Sequence, residues 1–395
     1  MKIFVLNCGS SSVKYKLYAM KNEEVLAEGQ VERIGQDNAV ISHQSRGKEK
    51  VLKTMSILEH TVAIKESLRL VTHPEHGIIA STDEIDAVGH RVVHGGESFS
   101  DSVLIDERIK QILDSLASLA PLHNPANVLG IRAAEKIMPK TPQVAVFDTA
   151  FHASIPPHAY LYAIPYSVYQ RHKIRRYGFH GTSHKYVTQR AAEMMGRDLR
   201  ELKIISCHLG NGGSITAVKQ GRSVDTSMGF TPLEGLVMGT RSGDIDPGAI
   251  FYLMEQEDLN LFEIDSMLNK HSGLYGVAGV SDMRDIENGI REGDKLCQIA
   301  FDLYEYRIRK YIGAYTAAMD GVDAIVFTAG IGENVPLVRK AICSKLGFLG
   351  VKIDPEKNEK RSVDLELSTP DSRVKVFTVA TDEEVIIARD TAKIL

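Results

Sequence analysis

Apolar residues gather in short runs along this chain, and two of those runs share a plan. Lys203 to Val218, KIISCHLGNGGSITAV, opens on Ile204 and Ile205, breaks at Leu209-Gly210-Asn211-Gly212-Gly213-Ser214, and resumes with Ile215, Ala217 and Val218. Lys2 to Tyr18, KIFVLNCGSSSVKYKLY, has the same order: an apolar run, the polar turn Asn7-Cys8-Gly9-Ser10-Ser11-Ser12, then alternation through Val13, Tyr15 and Leu17. Asn and Gly tolerate positive φ, so each stretch predicts a β-hairpin. Either turn could be a plain reversal or a place where backbone N–H groups meet an anion. The matching pair suggests a duplicated domain with a phosphate clamped between its halves.

The remaining pattern alternates strands and helices. Val31 to Lys53 reads as scattered strands of a peripheral segment, and Thr61 to Val71 as an amphipathic helix. Asp86 to Gly89 predicts a core strand, Asp106 to Ala120 and Ala126 to Ile137 helices, and Gln143 to Phe147 a buried strand. A helix is expected through about Met195, with Thr182 or Ser183 as its N-cap. Asn260 to Lys270 and Lys295 to Met319 are helical, the second with a stripe of Leu296, Ile299, Leu303, Ile308 and Ile312. Ala324 to Thr328 is a core strand entering Ala329-Gly330-Ile331-Gly332-Glu333-Asn334. Asp354 to Arg373 is a charged excursion, Val374 to Val379 the last strand, and Thr381 with Glu384 fits a capping box for the final helix. The alternation argues for an α/β fold.

Composition narrows the class. The length of 395 residues suits two domains, and 43% apolar with 25% charged residues is the profile of a soluble globular protein. A formal charge of −4 gives no global attraction for nucleic acid or an anionic membrane. No apolar run reaches the roughly 18 residues of a membrane span, and no signal-peptide core is visible. Cys8, Cys207, Cys297 and Cys343 are far apart and form no metal pattern, as expected of reduced cytoplasmic thiols.

Candidate chemistry lies where core strands end. Arg91 follows a core strand and precedes Gly95-Gly96; it suits anion capture, or a surface ion pair. Asp148 ends the 143–147 strand, where α/β folds place metal-binding or catalytic carboxylates, or it caps a turn. His180 sits between Gly178 and Gly181 before a helix, and is either structural or exposed for close approach. Residues 225–248 form a long loop dense in Gly, Asp and Pro, with apolar residues that need burial; Arg241 within it is a second anion clamp or a salt-bridge partner. The strand–GxG–helix at 324–334 is nucleotide-friendly, with helix N–H groups facing a ligand, but it lacks a full GxGxxG, and no GxxxxGK[ST] occurs.

Taken together, VLNCGSSSVKYKL, HRVVHGGE, VFDTAFH, YGFHGTSH, HLGNGGS, DTSMGFTPLEGLVMGTRSGDIDPG, TAGIGEN and TDEE closely resemble the acetokinase family of the acetate and sugar kinase/heat-shock/actin superfamily, over essentially the whole chain. The resemblance implies an α/β fold of two duplicated ribonuclease H-like (actin-like ATPase) domains with the active site in the interdomain cleft. The expected segments are 1–150 plus 385–395, and 151–384. The implied reaction is reversible: ATP and acetate give ADP and acetyl phosphate with Mg²⁺, for which Mn²⁺ can substitute. Short-chain acids such as propionate are the alternative acceptors. By the same resemblance Asn7 and Glu384 look like the magnesium site, and Ser10, Ser12 and Lys14 the first phosphate-binding element. Arg91 and Arg241 resemble the arginines that hold the carboxylate and the phosphoryl group, and His180 the transition-state stabiliser. Asp148 resembles the essential acidic residue, read here mainly as an orienting, metal-side carboxylate. His208, Leu209, Gly210, Asn211 and Gly212, then Asp282, Met283 and Arg284, then Gly330, Ile331, Gly332, Glu333 and Asn334 resemble ATP-binding segments. Val93, Leu122, Phe179 and Pro232 resemble the pocket for the acetate methyl. A cytoplasmic homodimer is implied, with no nucleic-acid or membrane partner.

Overall fold

The computed structural model describes residues 1–121, 123–360 and 364–395, and only the backbone of Ser118. The chain divides into two compact units, Met1–Phe151 with Asp382–Leu395, and His152–Thr381. Each is built on one mixed sheet covered by helices.

The first unit holds β1 (Lys2–Cys8), β2 (Ser12–Ala19), β3 (Glu24–Glu32), β4 (Gln36–Ser45), β5 (Val51–Ile57), β6 (Ala87–Val92), β7 (Val103–Leu104) and β8 (Gln143–Phe147). Their order across the sheet is β5-β4-β3-β2-β1-β6-β8-β7. The second unit holds β9 (Lys203–Leu209), β10 (Gly213–Lys219), β11 (Arg222–Thr226), β12 (Ala324–Thr328), β13 (Leu365–Glu366) and β14 (Lys375–Thr378), in the order β11-β10-β9-β12-β14-β13. The repetition is plain: β3-β2-β1 and β11-β10-β9 are antiparallel meanders, and β6-β8 and β12-β14 extend them in parallel. Both hairpins close tightly, pairing Cys8 with Val13 and Leu209 with Gly213.

Central strands are apolar on both faces because helices cover both. In the first unit Phe4, Leu6 and Cys8 pack with the His60–Val71 and Asn124–Ile137 helices. The other face meets the Glu383–Ile394 helix, where a Cβ on Gly89 would lie 2.5 Å from Thr391 Oγ1 and 2.8 Å from Ile387 Cγ2. In the second unit Ile204 and Val326 pack on the Gly181–Met195 helix, while Ile205, Cys207, Ile325 and Phe327 face the Lys295–Ala318 helix.

Several expectations need correction. Residues 31–53 are part of a regular meander, β3 to β5, rather than scattered strands. The helix expected over 106–120 is α-helical only from Glu107 to Ser115, capped by Asp106, and tightens into a 3₁₀ turn over Leu116–Leu119. Thr182 and Ser183 lie inside the first helical turn; the N-cap position is His180, with φ 58°. On the Lys295–Ala318 helix, Leu296, Ile299 and Leu303 are 54%, 48% and 45% exposed, whereas Cys297, Ala300, Phe301, Tyr304, Ile308, Ile312 and Tyr315 are buried. Two apolar stripes interleave there, and the sheet takes the one whose three- and four-residue steps are unbroken. All four cysteines are free and buried. Among the described residues, no helix is long and apolar enough to cross a membrane.

The Gly89 contact yields a stability prediction. Gly89→Ala wedges a methyl between β6 and the C-terminal helix and should cost about 1–3 kcal/mol, the usual range for overpacking, read as a lower Tm. An unchanged Tm would show that this helix shifts freely.

Candidate active site

In the first unit the strand ends bring together what the sequence separates. β1, β6 and β8 run parallel side by side, so Asn7 near the end of β1, Arg91 near the end of β6 and Asp148 just after β8 become neighbours. Arg91 donates from Nε to both Asp148 oxygens at 3.1 and 3.2 Å, and from Nη2 to Oδ2 at 2.6 Å. Its Nη1 points to Asn7 Oδ1 at 3.5 Å. Asp148 is 1% exposed, so this is a directed, water-poor ion pair and not a surface one. Desolvation opposes the charge on Arg91, but Asp148, then Glu383, outweigh it and raise its affinity for the proton.

The loop after β6 is pinned from the Asn124–Ile137 helix. Val93 N–H donates to Asn127 Oδ1 at 3.0 Å, and Asn127 Nδ2 donates to Cys8 O at 2.7 Å. Asn124 exchanges hydrogen bonds with the backbone of His94. Neither asparagine stood out in the sequence, because two buried amides on a helix look like ordinary polar residues. Lys14, opposite Asn7 on β2, faces the same strand end. Ser10 is exposed in the turn and Ser12 is half-buried. Leu122 lies outside the described residues.

The expected capping box at the last helix is not formed. Asp382 is the N-cap, accepting from Val385 N–H at 3.1 Å, and the Thr381 hydroxyl instead donates to Ser183 at 2.8 Å. Glu384 is thereby released from capping and lies 3.6 Å from Lys16 Nζ. Glu383 is the residue that sequence reasoning missed. Loss of water pushes its carboxyl up to about 7, with Asp148 and Glu384 adding repulsion and Arg91 and Lys14 opposing. Asn7 and Glu384 carry oxygen donors of the kind a hard divalent cation such as Mg²⁺ takes, but among the described residues only His73, Glu75 and His76 bring three acidic or histidine ligand atoms within 4.8 Å of one another.

In the second unit the β9–β10 turn is the meeting point. His180 donates or accepts through Nδ1 with Ser214 Oγ at 2.9 Å, and its ring stacks on His208 at 4.1 Å between centroids. A Cβ on Gly212 would lie 3.4 Å from Arg241 Nη1 and 4.0 Å from His180 Cε1, so both groups border this turn. Burial weakens the hold of Arg241 on its proton. Its Nη1 also reaches Pro232 O at 3.4 Å. Phe179 is 4% exposed and Pro232 half-buried. The 225–248 loop is ordered by return contacts: Gly239 N–H donates to Asn211 O at 3.0 Å, and a Cβ at Gly239 would collide with Asn211 Oδ1.

A cavity of about 640 Å³ joins the three expected nucleotide segments, lined by Gly210, Asn211, Asp282, Met283, Arg284, Gly330, Ile331 and Asn334. Other residues of those segments do not line it. Leu209 points into the hydrophobic core, because alternation on β9 sends it to the opposite face from His208. The Glu333 carboxylate turns onto its own backbone, accepting from Ala329 N–H at 2.8 Å and Thr381 N–H at 3.3 Å. Buried Arg339 closes the far end of the short Ala329–Asn334 helix, donating to Gly332 O and Glu333 O at 2.9 and 2.8 Å.

A model of the acetokinase family matches residues 2–389. The chain belongs to the acetokinase family. An acetate kinase of Symbiobacterium thermophilum is 57% identical over 396 residues, covering 100% of this chain and 99% of that protein. One of Thermotoga maritima is 56% identical with the same coverage. Among solved structures, the acetate kinase of Porphyromonas gingivalis superimposes with a TM-score of 0.95 at 49% identity, covering 100% of this chain and 99% of that one. A propionate kinase of Francisella tularensis gives 0.92 at 42% identity, with full coverage of both. The α/β fold with two mixed sheets is therefore that of the acetokinases.

The contact of Gly239 with Asn211 predicts a selective defect. Gly239→Ala should displace the turn and raise the KM for ATP about tenfold, equivalent to about 1.4 kcal/mol, while leaving the KM for acetate near its starting value. An unchanged KM for ATP would remove Asn211 from the nucleotide site.

Proposed function

We infer that this chain is an ATP:acetate phosphotransferase, forming acetyl phosphate and ADP reversibly by direct in-line transfer. The observation that carries the reading is Arg91, held by Asp148 at the ends of parallel strands with one edge of its guanidinium left towards Asn7. A planar fork fixed this way suits a carboxylate acceptor. Membership of a family whose relatives are acetate kinases supports it.

The chemistry asks little covalent work of the protein. Acetate is already ionised at neutral pH, so the acceptor needs no general base. Asp148, whose oxygens are engaged with Arg91, orients that guanidinium. Phosphoryl transfer then depends on alignment and on neutralising the equatorial oxygens. Arg241 and His180, bordering the Gly212 turn, are the proposed donors to those oxygens. Asn211, Gly210 and Gly212 hold the ATP phosphates, with Ser10, Ser12 and Lys14 serving the transferred group. Asp282, Arg284, Gly330 and Asn334 line the place proposed for the nucleoside. Mg²⁺, for which Mn²⁺ can substitute, would be held by Asn7 and Glu384 with Glu383 beside them, and supplies charge neutralisation on the phosphate oxygens. Val93, Phe179 and Pro232 are proposed as apolar contacts of the acetate methyl. An extra methylene is worth roughly 1–3 kcal/mol in such a pocket, so propionate is a slower substrate.

Self-association is proposed through the second unit. Phe251, Tyr252, Leu261 and Phe262 are 70%, 64%, 73% and 87% exposed on two successive helices, more apolar surface than a monomer usually leaves wet. A second copy of the chain is the proposed cover, giving a homodimer. Free buried thiols suit a cytoplasmic enzyme.

A hydroxamate assay across short-chain acids tests the activity, with acetate expected to give the highest kcat/KM; a clear preference for propionate would replace the assignment. Arg91→Ala should raise the KM for acetate about 10- to 100-fold, the worth of a charged hydrogen bond of 1.5–3 kcal/mol, and Arg91→Lys should restore little of it. Chiral γ-phosphoryl ATP should react with inversion, and retention would point to a phosphorylated carboxylate on the enzyme. Phe262→Asp should yield a monomer by light scattering; a wild-type mass would place the interface elsewhere.

A further inference from the structure

The loop leaving the His60–Val71 helix gathers metal-ligating side chains that the proposed reaction does not use. His73-Pro74-Glu75-His76-Gly77 doubles the chain back on itself. Pro74 pre-sets φ for a turn. Gly77 N–H donates to His73 O at 2.7 Å, and Ile78 N–H donates to Val71 O at 2.9 Å. A Cβ at Gly77 would lie 2.3 Å from Val71 O, so only glycine lets the strands of this loop close. The loop is also tied sideways: His43 Nε2 on β4 lies 3.2 Å from His76 O, and Lys48 Nζ donates to Gly77 O. On this fixed backbone one ligand atom from each of His73, Glu75 and His76 lies within 4.8 Å of the others. The two imidazole rings stack with centroids 4.7 Å apart, and Glu75 Oε2 stands 3.9 Å from His76 Nε2. Both histidines are half-buried and Glu75 is exposed, so the group opens to water.

We propose that His73, Glu75 and His76 form a site for one late first-row divalent cation, with Zn²⁺ as the reference ion. Two imidazoles and one carboxylate are a set that zinc takes readily, with water completing the tetrahedron. Imidazole nitrogen suits Zn²⁺, Ni²⁺ and Cu²⁺, whereas Mg²⁺ takes oxygen donors and keeps its own waters. The site is therefore chemically separate from the oxygen donors of Asn7 and Glu384, and it stands apart from the phosphoryl-transfer reading. Bonds of about 2.0–2.2 Å put tetrahedral ligand atoms about 3.4 Å apart, so the side chains close inward on the ion while the backbone stays. His73 Nδ1 accepts from the backbone N–H of Glu75 and His76 at 3.2 and 3.4 Å, which keeps the proton of the neutral ring on Nε2. Coordination through Nε2 moves that proton to Nδ1 and turns the ring off the two amides. Both contacts are at the long end for hydrogen bonds, so the exchange costs little. The cysteines, rival ligands for zinc, are buried, and burial pushes the Cys8 and Cys343 thiols up to about 12. Bound there, the ion staples the end of the helix to the loop that reaches β4. At the other end of the same helix His60 Nε2 meets Gly9 O in the β1–β2 turn at 2.7 Å. A helix of 12 residues spans about 18 Å, so the ion sits far from that turn.

Calorimetric titration of the full-length protein with Zn²⁺, in excess Mg²⁺, should show one equivalent bound with a Kd of about 100 µM or tighter. His73→Ala and His76→Ala should each weaken it about tenfold or more, and the pair together should abolish it. One equivalent of Zn²⁺ should raise the Tm of the unaltered protein and leave that of the double variant where it was. Co²⁺ in place of Zn²⁺ should develop the visible absorption of a low-coordinate ion, again only with both histidines present. Should the alanine pair fail to fold, His73→Gln with His76→Gln keeps the polar bulk and gives the same readings. Absence of a Zn²⁺ equivalent would overturn the site. So would an equivalent that survives the double substitution, which would assign the ion to other surface histidines. Acetate-dependent turnover should be equal in the unaltered and double-variant proteins. Its absence in both would sink the functional reading and leave the zinc result decisive for the site.

Discussion

A guanidinium at the buried ends of two parallel strands must be neutralised, and Asp148 does this from the neighbouring strand. The rest of the first unit's site follows from that pair. Because Asp148 takes Nε and Nη2, the orientation of Arg91 is fixed and only one edge remains for an acceptor. Beside the pair, burial raises the proton affinity of Glu383, with Arg91 opposing the rise and Asp148 and Glu384 adding to it. Breaking such a pair from one side leaves an uncompensated charge, so each partner is hard to replace alone. The parallel order β1-β6-β8 is what makes the pairing possible, since only parallel neighbours deliver three strand ends to one edge.

The second unit solves a different problem with the same sheet plan. Its β9–β10 turn borders a cavity and yet stays ordered. Gly239 allows the long loop to fold back and bond Asn211, and small residues at Gly212 leave room for Arg241 and His180. Duplication explains the shared architecture, but the two turns have diverged: Asn7 looks onto Arg91, whereas Asn211 is clamped by a loop with no counterpart in the first unit.

Much of this was legible in the sequence, for identifiable reasons. Both hairpins and the strands Gln143–Phe147 and Ala324–Thr328 are short apolar runs ended by polar or glycine-rich turns, and each formed where expected. The failures lie where two local solutions compete. The Lys295–Ala318 helix carries two apolar stripes, and only the packed sheet selects one. Thr381 and Glu384 satisfy the spacing of a capping box, yet Asp382 is the better-placed cap and Thr381 is drawn to Ser183. Glu383 could not be separated from Glu384 by sequence, because facing Arg91 depends on the approach angle of a helix. The hydrogen bond between His180 and Ser214 was equally hidden, since Ser214 reads as an ordinary strand residue.

The inward turn of Glu333 has an electrostatic corollary. The N-terminus of a helix ordinarily attracts phosphate, and the Ala329–Asn334 turn after β12 looks built for that purpose. Here a carboxylate of the same helix already occupies Ala329 N–H. A triphosphate brought to that end would meet like charge and an amide already spent. The helix carries its own anion at its first amide, which offsets the positive character that a free helix start would have.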